Sequence, residues 1–469
     1  MKILMLGWEY PPHITGGLGT ACDGLTRALA RLDIGVQFVV PVTYGDEDAT
    51  HMRLSSAEGI AGQATSSISQ SGGYQDVNNG FPEEVRLAAS PNDDAKNDDA
   101  NLSVSTNITP LSISPYWSPE AFKSYLSLLE DEKIAPNLLA QLLPNHLVEN
   151  YFAVRHRSSS GQRYSKDIFE EVGRFAHNTV GGARNLDFDI IHAHDWMTFP
   201  AAVALKKLTG KPLIVHVHSL EYDRAGAGGN EIIRQIESLG LHNADGIIAV
   251  SYYTRDLICR EHGVSGERIT VVHNGVYPRD VRDTYRSCSA HKNQKIVLFL
   301  GRVTFQKGPD YFVEAAASVV PHVPEVLFVM AGAGDMLPRM IQRVQELGIE
   351  RNFEFTGFLK GEEVERIFTL ADLYVMPSVS EPFGITALEA ISHDTPVIIS
   401  RQSGVAEVLH HSLKVDFWDT HRMADLMING LIHDELRESM VSMAREELKK
   451  VRWDASAMKV ESLYRSILF

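Results

Sequence analysis

Two glutamates on one short segment have a spacing that suggests chemistry. Glu381 and Glu389 stand eight positions apart in Ser-Glu-Pro-Phe-Gly-Ile-Thr-Ala-Leu-Glu-Ala, residues 380–390, which follows the apolar run at 373–376. This pattern predicts a strand that passes through a short loop into a helix, and free N–H groups at such a helix N-terminus bind anions. Along a helix, eight residues cover about 12 Å, roughly the distance from a ribose across two phosphates to an attached sugar. One carboxylate could bind sugar hydroxyls and the other ribose hydroxyls, unless this is an ordinary helix with one exposed Glu and one internal Glu.

Two cations follow another apolar run. Arg302 and Lys307 lie in Gly-Arg-Val-Thr-Phe-Gln-Lys-Gly, residues 301–308. An Arg and a Lys on one loop suit a departing phosphate, because they stabilise the negative charge that develops as a bond to phosphate oxygen breaks. The competing interpretation is a pair of solvated surface cations. Gly332 follows the next apolar run, where a glycine either gives a nucleotide room or serves a turn.

A glycine-rich turn lies near the start of the chain. Gly16 and Gly17 belong to Thr-Gly-Gly-Leu-Gly, after the first apolar run and before a helical pattern. Glycines there let the backbone approach a phosphate closely, and they leave helix N–H groups free to bind it. The turn has neither the Gly-Lys-Ser/Thr of a Walker loop nor the full Gly-x-Gly-x-x-Gly spacing. Tight packing between a strand and a helix is the alternative explanation.

Two His-x-His pairs end apolar runs in the first half. His192 and His194 form the first pair, and His216 and His218 form the second. Alternate residues of a strand share one face, so the members of each pair point the same way. Such pairs bind metal ions or donate hydrogen bonds to sugar and phosphate oxygens. For His192 and His216 we favour a plain core position.

The elements that must position these residues are strands alternating with helices. Continuous Val/Ile/Leu runs separated by helical patterns predict parallel strands that are covered on both faces. The predicted strands are 3–6, 36–40, 189–192, 213–217, 246–250 and 269–272 in the first half, and 296–300, 326–330, 353–356, 373–376 and 397–399 in the second. Two such sets predict an α/β protein of two doubly wound, Rossmann-like domains, with ligands at the carboxyl ends of the strands.

The predicted domains span most of the chain. The first covers residues 1–285, with a Ser-, Gly-, Asn- and Asp-rich flexible insertion at about 55–106 that shows no periodicity. The second covers 286–452, and a terminal helix at 453–469 is expected to pack back on the first domain.

Composition excludes several classes of function. The 469 residues carry a net charge of −16, which argues against nucleic acid as the main partner. Three widely spaced cysteines favour a reducing compartment, and no apolar run approaches the ~20 residues that span a bilayer. We therefore expect a cytoplasmic protein without integral membrane association. The sequence leaves its oligomeric state open.

The order of these motifs resembles that of the GT-B fold retaining glycosyltransferases, in particular the glycogen and starch synthases and their relatives in the GT4 family. The resemblance covers nearly all of the chain outside 55–106. It rests on Trp-Glu-Tyr-Pro-Pro from Trp8, Thr-Gly-Gly-Leu-Gly from Thr15, His-Ala-His-Asp-Trp from His192, Gly-Arg-x4-Lys-Gly from Gly301 and Glu-Pro-Phe-Gly-x4-Glu from Glu381. Typical bacterial glycogen synthases have Lys before the Thr-Gly-Gly-Leu, where this chain has Ile14, so a preference for ADP-glucose does not follow.

The resemblance implies transfer of a hexose, with glucose expected, from a nucleotide-diphosphate sugar such as ADP- or UDP-glucose to a carbohydrate acceptor, with retention and without a metal or other cofactor. Arg302 and Lys307 would neutralise the leaving diphosphate, His194 would hydrogen-bond the donor sugar, and Glu381 would orient that sugar without acting as a nucleophile. Glu389 would bind the ribose, and Glu9 would lie on the acceptor side. The implied donor-binding residues are Gly16, Gly17, Gly332, Phe383, Gly384, Ile385, Thr386 and Glu389.

Three alternative functions remain open on the sequence. One is a transferase that acts on lipid or polysaccharide at a membrane surface. Such an enzyme usually needs a basic amphipathic patch, and the acidic composition offers only Lys206, Lys207 and a few scattered cations. Another is a metal-dependent hydrolase built on the His-x-His pairs. The third is a nucleotide-sugar sensor without catalytic activity. The acceptor itself could be a glucan, a sugar phosphate or another soluble sugar.

Overall fold

The computed structural model describes residues 1–13, 16–61, 168–184, 186–277 and 294–469. These residues form two parallel β-sheets, each with helices on both faces. The prediction of two Rossmann-like units is therefore confirmed. Among the described residues, no helix is both long enough and apolar enough to cross a lipid bilayer.

The first sheet has seven parallel strands in the order β3-β2-β1-β4-β5-β6-β7. Its strands are β1 (Lys2–Leu6), β2 (Gly35–Val40), β3 (Arg53–Ser56), β4 (Ile190–His194), β5 (Leu213–Val217), β6 (Gly246–Ala249) and β7 (Ile269–Val271). Its helices are α1 (Gly17–Ala30), α2 (Ile168–Ala183), α3 (Phe199–Thr209), α4 (Glu221–Ala225), α5 (Glu231–Asn243) and α6 (Tyr252–His262).

Strand β1 shows why this sheet is apolar throughout. Ile3 and Met5 belong to the core on one face, beside α1. Leu4 and Leu6 belong to the core on the other face, beside α2, α3 and α5. Because successive side chains of a strand point to opposite faces, a sheet covered on both sides needs continuous apolar runs.

The second sheet has six parallel strands in the order β10-β9-β8-β11-β12-β13. Its strands are β8 (Lys295–Leu300), β9 (Val326–Ala331), β10 (Phe353–Gly357), β11 (Leu373–Met376), β12 (Val397–Ser400) and β13 (Leu413–Val415). Its helices are α7 (Pro309–Val319), α8 (Leu337–Glu346), α9 (Glu362–Leu370), α10 (Ile385–Ser392), α11 (Thr420–Ile432) and α12 (Asp434–Leu448). Val297 and Phe299 face one core of this sheet, and Ile296 and Leu298 face the other.

The chain returns to the first half through α13 (Trp453–Leu468). Val276 N donates to Val451 O at 3.1 Å just before this helix begins. The helix packs against α1, where the absence of a Cβ on Gly24 makes room for the indole of Trp453. Trp453 and Tyr464 are buried in the same core as β1 and α1. Residues 453–468 are therefore part of the first half's core.

One predicted boundary needs adjustment. The predicted insertion at 55–106 begins too early, because residues 55–56 pair as the end of β3 with β2 and Ala57 is buried. Residues 62–106 of that prediction lie outside the described residues, as does the stretch 278–293 where the first domain was predicted to end. The strands β3 and β13 were not predicted, because Arg-Leu-Ser-Ser and Leu-Lys-Val are not continuous apolar runs.

Candidate active site

A cleft of about 380 Å³ lies where residues after the strands of both sheets meet. Ten of the residues predicted from the sequence line it. These are Glu9, Gly16, Gly17, Arg302, Lys307, Glu381, Phe383, Gly384, Ile385 and Thr386. The lining comes from both halves, so the complete site requires that they stay together.

The first half contributes the N-terminus of α1. Gly16 stands at the N-cap with no side-chain cap, and a Cβ added at Gly16 or Gly17 would meet nothing within 4 Å. Packing therefore does not require glycine at either position. The carboxylate of Glu9 accepts a hydrogen bond from Gly19 N at 3.2 Å, which ties this turn to the segment after β1. Thr15, quoted with this turn, lies outside the described residues.

The second half contributes an ion pair. Lys307 Nζ donates to Glu381 Oε2 at 2.5 Å, and Ser378 Oγ donates to the same oxygen at 2.9 Å. The side chains of Lys307 and Glu381 are 20% and 8% exposed. Arg302, from the same loop as Lys307, donates to Gln306 Oε1 at 3.2 Å. The predicted Arg/Lys loop and the predicted glutamate thus lie side by side in the cleft.

The N-terminus of α10 reaches the cleft beside this pair. Gly384 precedes the helix with φ of +108°, a conformation that disfavours residues with a Cβ. Ile385 and Thr386 begin the helix at the cleft wall, and Tyr374 Oη donates to Thr386 Oγ1 at 2.9 Å. Because α1 and α10 begin at the same cleft, the positive ends of two helix dipoles meet there.

The histidine pairs form a cluster at the ends of β4 and β5, in which His192, His194 and His216 are buried. His218 follows β5 directly and is partly exposed. His194 pairs with His216 across the two strands. His192 Nε2 lies 3.3 Å from His216 Nδ1, and His194 Nδ1 lies 2.9 Å from His218 Nε2. His192 Nδ1 also lies 2.5 Å from the hydroxyl of Tyr464 on α13.

Burial keeps these imidazoles neutral. It lowers the pKa of His192 and of His218 to about 3. It also lowers the pKa values of His194 and His216 well below their usual range, with the neighbouring imidazoles as a further cause. The ligand atoms of His192, His194 and His216 lie within 4.8 Å of one another, as do those of Cys22, His194 and His218. The cluster therefore has the donor atoms that a transition metal uses.

Three predicted residues do not line the cleft. His194 is fully buried behind His218, which does line it. Glu389 is half-buried on α10. Gly332 has φ of +146°, and a Cβ there would lie 1.8 Å from the carbonyl oxygen of Gly301. Close packing of two loops accounts for this glycine.

The cleft is also lined by charged residues that were not among the predicted site residues. Asp195 is 5% exposed and adopts φ of +59°, and its Oδ1 accepts from His218 N at 2.7 Å. Burial raises the pKa of Asp195 to about 7. Arg224 lies between the carboxylates of Glu221 and Glu237, at 3.4 and 3.5 Å. Asp195 and Arg224 follow the predicted strands 189–192 and 213–217, so a charged residue shortly after a strand is the sequence signal that indicates both.

A larger depression of about 640 Å³ lies at the opposite, amino ends of the second sheet, beside α9 and α12. Its lining includes Asp372, Asp394, Arg437 and Arg445, and Arg445 pairs with Asp394. None of the predicted site residues lines it. The cleft at the carboxyl ends, where ligands of such sheets bind, is the candidate active site.

Comparison with protein families and known proteins agrees with this fold. The model of the glycosyl transferases group 1 matches residues 281–447, that of glycosyltransferase family 4 matches 140–279, and that of the starch synthase catalytic domain matches 2–95. An uncharacterized glycosyltransferase of Methanocaldococcus jannaschii is 30% identical over 295 residues, which cover 59% of this chain and 75% of the relative.

Two further matches span more of the chain. A glycogen synthase of Mycobacterium tuberculosis is 25% identical over 414 residues, which cover 87% of this chain and 80% of the relative. The structure of a sucrose-phosphate synthase from Thermosynechococcus elongatus superposes with a TM-score of 0.66 at 19% identity, over 99% of this chain and 98% of that one. The chain therefore belongs to the GT-B glycosyltransferases related to the glycogen and starch synthases.

Proposed function

We propose that this glycosyltransferase moves a glucosyl residue from a nucleotide-diphosphate sugar to an uncharged glucan or other soluble sugar, with retention at the anomeric carbon. The observation that carries the proposal is the convergence on one cleft of Arg302, Lys307 and the N-termini of α1 and α10. Two cations and two helix dipole ends form a site for a diphosphate. Membership of the glycogen synthase-like group supports glucose as the sugar.

The cleft supports a role for each of its charged groups. Arg302 and Lys307 neutralise the diphosphate as the bond from its oxygen to the anomeric carbon breaks. Glu381 accepts hydrogen bonds from the sugar hydroxyls. Its Oε2 already accepts from Lys307 and Ser378, which suits an orienting group better than a nucleophile. The acceptor hydroxyl then attacks from the face the diphosphate leaves, and its proton passes to a phosphate oxygen.

The other predicted donor contacts stay within this proposal. His194 does not line the cleft, so it would act on the donor sugar through His218, whose Nε2 lies 2.9 Å from its Nδ1. Glu389 would reach the ribose from α10. The glycines at Gly16 and Gly17 leave open space where a phosphate or sugar oxygen can approach the backbone.

The acceptor side of the cleft supports an uncharged acceptor. Glu9 and Asp195 line it, and the charge of Arg224 is compensated by its two carboxylate partners. His218 is neutral at physiological pH because burial lowers its pKa to about 3. The Glu9 carboxylate, together with Asp195, whose pKa of about 7 leaves it partly ionised, disfavours an anionic acceptor such as a sugar phosphate. A neutral sugar would find hydrogen-bond acceptors and the ring of Trp8.

The proposed reaction needs no metal, because Arg302 and Lys307 supply positive charge at the leaving group. The alternative hydrolase would use the histidine cluster. His192, His194 and His216 are at most 2% exposed, so an ion bound there would lack the open coordination position that a catalytic metal needs.

The test is nucleotide release from ADP-, UDP- and GDP-glucose, each with a maltooligosaccharide, with glucose 1-phosphate or without acceptor. We expect one donor to give release that depends on the maltooligosaccharide and that persists in EDTA. Proton NMR of the product should show an α-linkage from an α-donor. Release without acceptor dependence, a preference for glucose 1-phosphate, an inverted linkage or loss of activity in EDTA would each contradict the corresponding part of the proposal. Stoichiometric zinc or manganese in the purified protein would favour the hydrolase.

A further inference from the structure

The loop that carries Glu381 is held on both sides by residues of the first half. Ser380 precedes the glutamate, and its Oγ donates to Asp223 Oδ1 of α4 at 2.5 Å. Pro382 follows the glutamate, and its carbonyl oxygen accepts from Ser251 Oγ at 2.6 Å. The contacts flank a residue whose carboxylate lies in the cleft.

The contact at Ser380 has a defined hydrogen-bond direction. A serine hydroxyl has one proton, and Ser380 donates it to the Asp223 carboxylate. Tyr253 Oη, 2.8 Å from Ser380 Oγ, must therefore donate to it. The Asp223 carboxylate is itself fixed in the first half, because its Oδ2 accepts from Leu220 N at 2.8 Å and its residue is 1% exposed.

The contact at Pro382 lies at the start of α6. Ser251 is the N-cap of this helix, and Thr254 Oγ1 also donates to the Pro382 carbonyl at 3.3 Å. The helix N-terminus is capped across the interface as well, since the carboxylate of Glu407 in the second half accepts from Tyr252 N and Tyr253 N at 2.9 and 2.7 Å.

Within its own half, Glu381 is held through the backbone. Glu381 N donates to Gln402 O at 2.9 Å, and Gly404 N donates to Glu381 O at 3.0 Å. These bonds set the height of the residue above the second sheet. The hydrogen bond that Ser380 donates to Asp223 and the one that Pro382 accepts from Ser251 hold its two neighbours. These two bonds therefore set how the loop, and with it the Glu381 side chain, is oriented toward the cleft.

We propose that Asp223 and Ser380 are positioning residues that orient the Glu381 carboxylate toward the donor sugar while the first half is docked on the second. The inference rests on the proposed role of Glu381 in binding that sugar. In the proposed reaction α4 makes no contact with the nucleotide-sugar donor. Through Asp223 it nevertheless controls whether the bound sugar is held for transfer. Separation of the two halves would break the Ser380–Asp223 bond and release the loop.

The expected effect is on turnover. Ser380→Ala should lower kcat about tenfold, the scale of one lost hydrogen bond to a charged group. Asp223→Asn should lower kcat to a similar extent. Affinity for the free nucleoside diphosphate of the accepted donor should stay within about twofold of the original, because that ligand carries no sugar for Glu381 to hold. A purely structural defect would lower both kcat and the affinity for the nucleoside diphosphate.

A double-mutant cycle tests whether Ser380 acts through Glu381. The rates of Ser380→Ala, Glu381→Gln and the double variant are compared. We expect the double variant to be as slow as Glu381→Gln alone, within about twofold, because the oriented group is already gone. Multiplied effects, or a Ser380→Ala variant with unchanged kcat beside an impaired Glu381→Gln, would overturn the inference and leave the proposed function intact. An unimpaired Glu381→Gln variant would overturn the role of Glu381, and the inference with it.

Ser456→Ala is the matched control. Ser456 is 6% exposed, and its Oγ donates to His273 O of the first half at 2.6 Å. This substitution removes a serine hydrogen bond of similar length and burial that does not involve the glutamate loop. We expect its kcat to be unchanged, and a tenfold loss there would overturn the inference. Thermal unfolding of each variant identifies a folding defect, and Asp223→Asn provides the second route if Ser380→Ala does not fold.

Discussion

Replacement of Lys307 by Met separates two contributions that one ammonium group makes. Lys307 Nζ lies 2.5 Å from Glu381 Oε2 within the cleft, and both side chains are largely shielded from water. Met keeps an unbranched stem of similar length but removes the charge. The leaving diphosphate then loses a preorganised cation, and Glu381 loses its ion-pair partner.

The two losses have different sizes and different readouts. Removal of one preorganised stabilising group costs roughly 10²–10³-fold in kcat, or about 3–4 kcal/mol. The unpaired Glu381 charge lowers the free energy of unfolding by up to about 3 kcal/mol, the low end for breaking a buried pair, because Ser378 still donates to it. The Lys307→Met/Glu381→Gln double variant has no unpaired buried carboxylate, so it should regain stability and still turn over slowly.

The assay is nucleotide release at saturating donor and acceptor, together with thermal unfolding of each variant. Lys206→Met is the matched control, because Lys206 Nζ pairs with Asp245 Oδ1 at 2.7 Å outside the cleft. We expect the control to keep its full rate. A Lys307→Met rate within about threefold of the original would refute the leaving-group role. A double variant that stays as unstable as Lys307→Met would refute the reasoning about the unpaired carboxylate.

The remaining predictions concern other parts of the site. Glu389→Ala should weaken binding of the free nucleoside diphosphate, measured by calorimetry, whereas a change only in sugar selectivity would contradict the ribose assignment. Gly332→Ala should lower the unfolding temperature, because its Cβ would overlap a backbone carbonyl and its φ of +146° disfavours a side chain. Gly173→Ala is the control, because a Cβ added at this position on α2 would meet no atom within 4 Å. An equal change in the unfolding temperature of the two variants would refute the argument. The imidazoles of His192 and His218, with pKa values of about 3, should not titrate between pH 8 and 5, and an NMR midpoint near 6.5 would contradict their burial as neutral groups.

The sequence predicted the cleft well where chemistry and strand ends coincide. Arg302, Lys307 and Glu381 each follow a continuous apolar run, and parallel strands bring their carboxyl ends to one edge of a sheet. The order of the strands and motifs along the chain was therefore enough to predict that these three residues lie near one another. The ion pair between Lys307 and Glu381 was not predictable, because it depends on the direction in which two separate loops turn.

The sequence also did not show which of the candidate residues reach the cleft and which are buried beneath it. His194 and His218 have the same alternation on neighbouring strands, yet only His218 reaches the cleft. The register explains the difference, since His194 pairs with His216 and His218 therefore lies two residues farther toward the edge of the sheet. Gly332 was likewise ambiguous, because a glycine that accommodates another loop and one that accommodates a ligand have the same sequence signal.

The return of α13 to the first half has a consequence for biosynthesis. The core around β1 and α1 includes Trp453 and Tyr464, which the ribosome adds only after the whole second sheet has been made. Until then the groove beside Gly24 lacks the indole that fills it, and His192 lacks its tyrosine partner. Domains generally fold in the order in which they are synthesised, but here the half that is made first must wait for the last helix to complete its packing. Translation that stops before residue 453 would therefore leave both halves of the enzyme present and the first one with an exposed apolar groove.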